Sequence, residues 1–336
     1  MVIGKVFLFC TLFMVVVGGV TILYFLREEV IMKDIPNFDT FTKVEPIAKG
    51  ASDDKKYIVE TTNGQKFLLR ISDIENIGVK KAEYEMLKRV ATLSIPISLP
   101  IDFGVCNDGK NVYQLLSWLE GDDLQSLLPS MTEAEHYAYG MKAGELLRLI
   151  HTIPAPSNAE PWEDWFMEYV QESIDCCNDE DVKFEEADVL IKYIQNNKHL
   201  LKGRPQTLIH SDFIDTNIIV LSDGSLGVID FNYEILEKDY GDPWNDIIFL
   251  EEWDDDISPR YSTGFVRGYF GGEPPQGFFN MIAFYSACDA LAGLNEAYEE
   301  GEPEEGLDYV QHVLSLFGNM NNPVPTWYQK DFCSRK

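Results

Sequence analysis

No C-x-x-C pair occurs in this chain. Its six cysteines, Cys10, Cys106, Cys176, Cys177, Cys288 and Cys333, are scattered along it. That scatter excludes a disulfide framework and a cysteine zinc site, and it fits a reducing cytosol. Positive charge is scarce: 27 Lys and Arg stand against 56 Asp and Glu, a formal net charge of -29. Such a field repels nucleic acid and anionic membrane surfaces, so nucleic acid is not an expected partner. An acidic cleft would instead suit an aminated or polycationic substrate, although a well-solvated acidic surface explains the same balance. Metal spacing is missing from His136, His151, His199 and His312. Internal repeats and low-complexity segments are absent too, which excludes a solenoid. The 336 residues suffice for one two-lobed unit or two domains.

Charge is also missing from one long run, Val6 to Leu26, VFLFCTLFMVVVGGVTILYFL. At about 1.5 Å per residue a helix of that length spans about 30 Å, one bilayer crossing. No small-x-small cleavage site follows, so residues 1–31 are expected to be an uncleaved leader carrying a single membrane helix over 6–26. The flanking Lys5 and Arg27 are too balanced to orient it. A second reading stands beside the anchor: Met32 opens MKDIPNFDTF, which looks like the start of a soluble enzyme.

After the leader, strand-like segments run from Thr42 to Ile47, Tyr57 to Thr61 and Lys66 to Ile71, the last two joined by Asn63-Gly64. A helix is predicted from Val79 to about Leu93, where Met86, Leu87 and Val90 share one face. Leu99 to Val105 and Asn111 to Leu116 form a second hairpin around Cys-Asn-Asp-Gly. Helices then dominate. Thr132 and Glu135 make a capping box before Glu133 to Ile150, and helical runs follow at Trp162 to Cys177 and Phe184 to Asn196. Thr207 to Ile229 differs, with short apolar runs broken by polar turns. Helices close the chain at Pro259 to Tyr269, Phe278 to Ala297 and Leu307 to Leu316. The pattern is a five-stranded lobe followed by a helical lobe.

Chemistry concentrates in that unusual stretch: His210-x-Asp212-x-x-x-x-Asn217, then Asp230-Phe231, then Gly241-Asp-Pro-Trp-Asn-Asp246. Transfer of a phosphoryl group from a nucleotide needs a carboxylate to orient the attacking hydroxyl, and an amide and a carboxylate to hold magnesium. Asp212 supplies the first, and Asn217 and Asp230 offer the hard oxygens that magnesium prefers. His210 reads as a brace. Asp242 and Asp246 read as loop organisers.

These segments, LIHSDFIDTNIIVLSDGSLGVIDF and YGDPWND, resemble the aminoglycoside phosphotransferase and choline kinase-like superfamily. The resemblance extends over nearly all of Met32 to Phe317, with LLSWLEGDDL as lobe connector and AGELLRLIHTIP as the helix before the catalytic segment. It implies an α+β, bilobal, protein-kinase-like fold. An N-lobe over 32–117, an antiparallel five-stranded sheet plus a helix, would bind nucleotide. A larger, mainly helical C-lobe over 118–336 would hold the catalytic and substrate groups.

The resemblance further implies Asp212 as catalytic base and Asn217 and Asp230 as Mg2+ ligands, with ATP as donor and GTP as an alternative. Arg70 takes the position of the phosphate-contacting basic residue, with Glu83 as its helical ion-pair partner and Glu85 as a competitor for that role. Ser52, in the Lys49-Gly50-Ala51-Ser52 loop, and Trp118, in the connector, complete the nucleotide side. Several positions depart from the family pattern. Arg70 replaces lysine, Ser211 replaces glycine, Asn232 follows Asp230-Phe231, and the loop at Gly50 lacks a full G-x-G-x-x-G. The acceptor is expected to be a hydroxyl on a small, cationic, aminoglycoside-like molecule. Choline, a sugar or a macrolide are alternatives, as is a membrane-tethered pseudokinase. Substrate-lobe candidates are Trp162, Trp165, Glu251, Glu252, Asp254, Asp255, Asp256 and Asp289, the last read as lying on an exposed helix face.

Overall fold

The computed structural model describes residues 31–48, 54–177, 185–231, 238, 240–251 and 258–328. The apolar run 6–26, Ser52 and its loop, Asn232, Glu252 and Asp254 to Asp256 lie outside the described residues, as does the side chain of Glu251. Among the described residues no helix is long and apolar enough to cross a membrane. The chain divides into two compact units. One comprises the described residues up to Lys88 together with Ser98–Trp118; the other comprises Arg89–Ile97 and the described residues from Leu119 onward.

The first unit is built on five strands, β1 (Phe41–Ile47), β2 (Lys55–Thr61), β3 (Lys66–Asp73), β4 (Pro100–Cys106) and β5 (Asn111–Ser117). They pair antiparallel throughout in the order β1-β2-β3-β5-β4, the five-stranded sheet expected. Side chains alternate between faces along a strand. Tyr57, Val59, Leu69, Ile71, Cys106, Tyr113 and Leu115 therefore share one face, where Met32 and Ile35 join them in a buried cluster. The same parity sends Arg70, Ser72 and Gln114 to the other face. There Gln114 donates to Lys80 and Glu83 of helix α1 (Ile77–Val90). Gly64, at φ 79°, supplies the left-handed residue that closes the β2–β3 turn.

The second unit is mainly helical: α2 (Leu124–Leu127), α3 (Glu133–Ile150), α4 (Trp162–Cys177), α5 (Glu185–Asn197), α6 (Pro259–Phe270), α7 (Phe278–Glu300) and α8 (Pro303–Leu316). The Thr132–Glu135 capping box forms as read from the sequence. Helices α3 and α6 touch backbone to backbone through four glycines. A Cβ on Gly140 or Gly144 would come within 2.2 or 2.0 Å of the Tyr261 or Phe265 carbonyl oxygen. One on Gly264 or Gly268 would meet Tyr137 O or Met141 O at 2.3 or 2.1 Å. Only glycine permits such an approach, and it seats the end of α3, at His151, beside the segment that carries His210 and Asp212.

That segment runs through short strands. β7 (Thr207–Leu208) pairs with β10 (Tyr240–Gly241), and β6 (Asp122–Asp123), β8 (Ile218–Val220) and β9 (Leu226–Val228) form a three-stranded sheet. The Ser222-Asp223-Gly224 turn joins β8 to β9, with the Ser225 amide and hydroxyl both donating to the Asp223 carboxylate.

Candidate active site

His210 follows β7 and is fully buried. Its amide donates to Asp246 Oδ2 at 2.6 Å, and the Ser211 amide donates to Oδ1 of the same carboxylate at 2.9 Å. Asp246 also meets His151 Nε2 at 3.0 Å, and His151 Nδ1 lies 2.8 Å from the Tyr269 hydroxyl. The residue expected to organise the loop thus receives the backbone of His210 and Ser211 as well. Nδ1 of His210 accepts the Asp212 amide at 3.2 Å, which leaves Nε2 to carry the proton toward the Ile229 carbonyl at 3.1 Å. Burial pushes the His210 pKa down to about 4, so the ring is neutral at pH 7 and braces Asp212 against the end of β9.

Two residues here hold left-handed backbone without being glycine: Ser211 at φ 65° and Asp230 at φ 58°. Each conformation costs on the order of 1 kcal/mol, strain of a kind that gathers at functional sites. The Ser211 value explains why glycine suits this position. The hydroxyl that serine adds is buried without a hydrogen-bond partner.

Asp212 and Asn217 come together. The 3-10 turn Asp215–Asn217 brings the Asn217 side-chain amide to the Asp212 carboxylate at 2.8 Å and to its carbonyl at 3.0 Å. Burial pushes the Asp212 carboxyl up to about 6; the nearby charges of Asp230 and Asp246 add to the rise, and the Asn217 hydrogen bond opposes it. Because Nδ2 of Asn217 is committed to Asp212, its Oδ1 is the atom it has to offer a cation. Asp230 follows β9, and its charge acts on the Asp212 carboxyl. Among the described residues no group of three or more His, Cys, Asp or Glu side chains is arranged to hold a metal. The amide oxygen of Asn217 and the carboxylate of Asp230 are hard donors of the type magnesium takes.

Asp242 organises the next loop. It is buried, with Arg204 forked onto both carboxylate oxygens at 2.5 and 2.9 Å and the Tyr285 hydroxyl donating at 2.7 Å. Trp162 Nε1 in turn donates to Tyr285, so Trp162 is part of this scaffold. Arg204 also lies over the Trp244 ring at 3.9 Å. Nothing in the spacing of the sequence pointed to Arg204.

In the first unit, Arg70 and Glu83 are 3.8 Å apart, closer to contact than to a hydrogen bond. The tighter partner of Arg70 is a residue that sequence reasoning missed. Asp54 Oδ2 accepts from Arg70 Nε at 2.9 Å and from Nη2 at 2.7 Å, and Ser72 Oγ donates to Oδ1 at 2.5 Å. Lys80, also missed, is only 2% exposed and lies 3.1 Å from Asp54 and 3.3 Å from Glu83. Burial pushes the Asp54 carboxyl up, but Arg70, Ser72 and Lys80 outweigh it and hold the carboxyl below its ordinary value. Burial dominates at Glu83 and raises its pKa. Glu85 instead pairs with Lys88 at 2.8 Å on the exposed side of α1. Trp118 follows β5, half-buried, its amide donating to the Lys66 carbonyl.

Of the substrate-lobe candidates, Trp165 stacks on Tyr169 with centroids 5.7 Å apart. Asp289 is half-buried rather than exposed, because α8 packs over it and the Tyr309 hydroxyl donates to its carboxylate at 2.6 Å.

Residues 43–278 match the model of the phosphotransferase enzyme family, APH. No curated protein matches the chain. Solved structures share the fold at low identity. The gentamicin complex of APH(2")-IIa is 18% identical at a TM-score of 0.61, covering 91% of this chain and 99% of its own. The GDP complex of wild-type aminoglycoside 2'-phosphotransferase-IIIa is 15% identical at 0.64, covering 89% and 99%. A putative fructosamine-3-kinase from Haemophilus somnus 129PT is 14% identical at 0.57, covering 85% and 96%. With more than half of its length matched by the family model and the Asp212, Asn217 and Asp230 motifs in order, the chain belongs to the phosphotransferase enzyme family.

Proposed function

We propose that this protein moves the γ-phosphoryl group of ATP to a hydroxyl of a small, cationic molecule. The observation that carries the reading is the Asp212 carboxylate, held at 2.8 Å by Asn217 and raised to a pKa of about 6, where a general base works near neutral pH. Asp212 orients the acceptor hydroxyl and takes its proton. The acceptor oxygen forms a bond to the γ-phosphorus as the bond to the bridging oxygen breaks, and ADP leaves. Asn217 Oδ1 and the Asp230 carboxylate would hold magnesium, which when bound neutralises charge on the phosphates.

On the nucleotide side, Arg70 serves the phosphates with Glu83 behind it, and Trp118 and Ser52, the latter outside the described residues, are assigned to the same role; the sheet unit is the proposed nucleotide-binding lobe and the helical unit the proposed catalytic and substrate-binding lobe. The acidic balance favours an aminated acceptor, and solved relatives include complexes with gentamicin and streptomycin. Likeness to the fructosamine-3-kinase structure supports a second reading, a kinase of another small metabolite such as choline or a sugar. Structures with GDP bring GTP into consideration as donor. We further propose that catalysis takes place in the cytosol and that the apolar run 6–26, where translation starts at Met1, tethers the chain to the membrane.

The test is a screen of amino sugars, amino alcohols, sugars and macrolides with magnesium and either ATP or GTP, following nucleotide consumption and phosphorylated product. Turnover with aminoglycoside-like amino sugars supports the first reading, and turnover confined to choline, simple sugars or macrolides supports the second. Nucleotide binding with no transfer to any acceptor would favour a pseudokinase.

A further inference from the structure

Among the described residues of the sheet unit, four charged groups with buried side chains, Asp54, Arg70, Lys80 and Glu83, sum to zero, and Asp54 is the hub. Its carboxylate takes two donors from the Arg70 guanidinium, one from Ser72, and the Lys80 ammonium at 3.1 Å. A guanidinium fork accepts carboxylate and phosphate in the same geometry, so the two anions are alternatives on it. Glu83 is the more distant carboxylate, an ion pair with Arg70 at 3.8 Å without a hydrogen bond.

We propose that Asp54 competes with nucleotide phosphate for Arg70 and so sets the affinity of this site for the donor nucleotide. The inference rests on the reading of Arg70 as the phosphate-contacting residue. On nucleotide binding, the Arg70 fork exchanges a carboxylate for a phosphate oxygen, while Lys80 keeps Glu83 as its partner at 3.3 Å. The exchange leaves the sheet intact, because Asp54 lies just ahead of β2 and the β2–β3 ladder begins at Lys55 opposite Ile71. Without the Asp54 charge the remaining three groups carry a net positive charge, which favours an anionic ligand.

Asp54→Asn keeps the shape and removes the charge. Calorimetric titration with ATP and magnesium is expected to show a dissociation constant about five- to tenfold lower than that of the unaltered protein. Nucleotide-free Tm should fall, and the rise in Tm on adding ATP should grow. A residue that only braces the fold would also lower Tm, but would leave nucleotide affinity unchanged or weaker, and that result overturns the proposal. Should Asp54→Asn fail to fold, Ser72→Ala carries the test. It preserves every charge, removes one hold on the carboxylate, and is expected to tighten ATP binding about twofold; unchanged or weaker binding overturns the proposal. Arg70→Met separates the two claims. If it leaves ATP affinity unaltered, the phosphate role of Arg70 is wrong; if it weakens binding while Asp54→Asn does not strengthen it, the competition is wrong.

Discussion

Asn217 donates its side-chain amide to the Asp212 carboxylate at 2.8 Å, tying the proposed metal ligand to the proposed base. The bond also opposes the burial that raises the Asp212 pKa, so the two residues cannot be altered independently. Replacing Asn217 with Ala should therefore move the Asp212 titration above about 6, as well as reduce transfer. Carboxyl NMR of the metal-free, nucleotide-free protein reads the shift directly; a lower Asp212 pKa in Asn217→Ala would contradict the arrangement.

The raised Asp212 pKa has a sign for stability. The folded state holds this proton more tightly than the unfolded chain, so its contribution is present below the unfolded value and is lost as pH rises through about 6. At neutral pH the ionised group is a cost. Asp212→Asn should stabilise the protein by about 1 kcal/mol at pH 7.5, a gain that shrinks as pH falls below 6. Thermal melts of both proteins from pH 5 to 8 check the crossover.

Asp246 accepts two buried backbone amides and faces His151, so its loss strands three polar groups. Asp246→Ala is expected to cost about 2–4 kcal/mol and to lower kcat about 10- to 100-fold through displacement of Asp212. The nucleotide dissociation constant should change far less. An equal loss in both would mean that Asp246 acts beyond this loop.

Gly144→Ala is expected to be worse than its size suggests. The added Cβ meets a backbone oxygen at 2.0 Å, and a backbone cannot rotate aside as a side chain does. Helices α3 and α6 must separate, at a cost of about 3 kcal/mol or more. Denaturant unfolding measures this; a cost below about 1 kcal/mol would show that the helix pair adapts freely.

Much of this architecture was legible because it is periodic or local. Alternation along Tyr57 to Thr61 and Lys66 to Ile71, the Thr132–Glu135 box and the fixed spacing of Asp212 and Asn217 all act within a few residues of chain. What escaped depends on faces and distant partners. Lys80 stands beside Lys81 and looks like any solvated helix lysine until α1 turns it into the sheet beside Asp54. Arg204 reaches Asp242 across 38 positions, and no spacing rule connects them. Asp289 read as exposed because the helix that covers it, α8, arrives later in the chain. The acceptor is less legible still, since selectivity depends on side chains gathered from several helices.

The central claim is that Asp212 drives phosphoryl transfer, and the most direct measurement is single-turnover transfer from γ-labelled ATP by the unaltered protein and by Asp212→Asn, with nucleotide affinity measured alongside. The account predicts a loss of at least about a thousandfold in transfer with ATP affinity within about threefold of the unaltered protein. Transfer that persists within about tenfold of the original rate would contradict it.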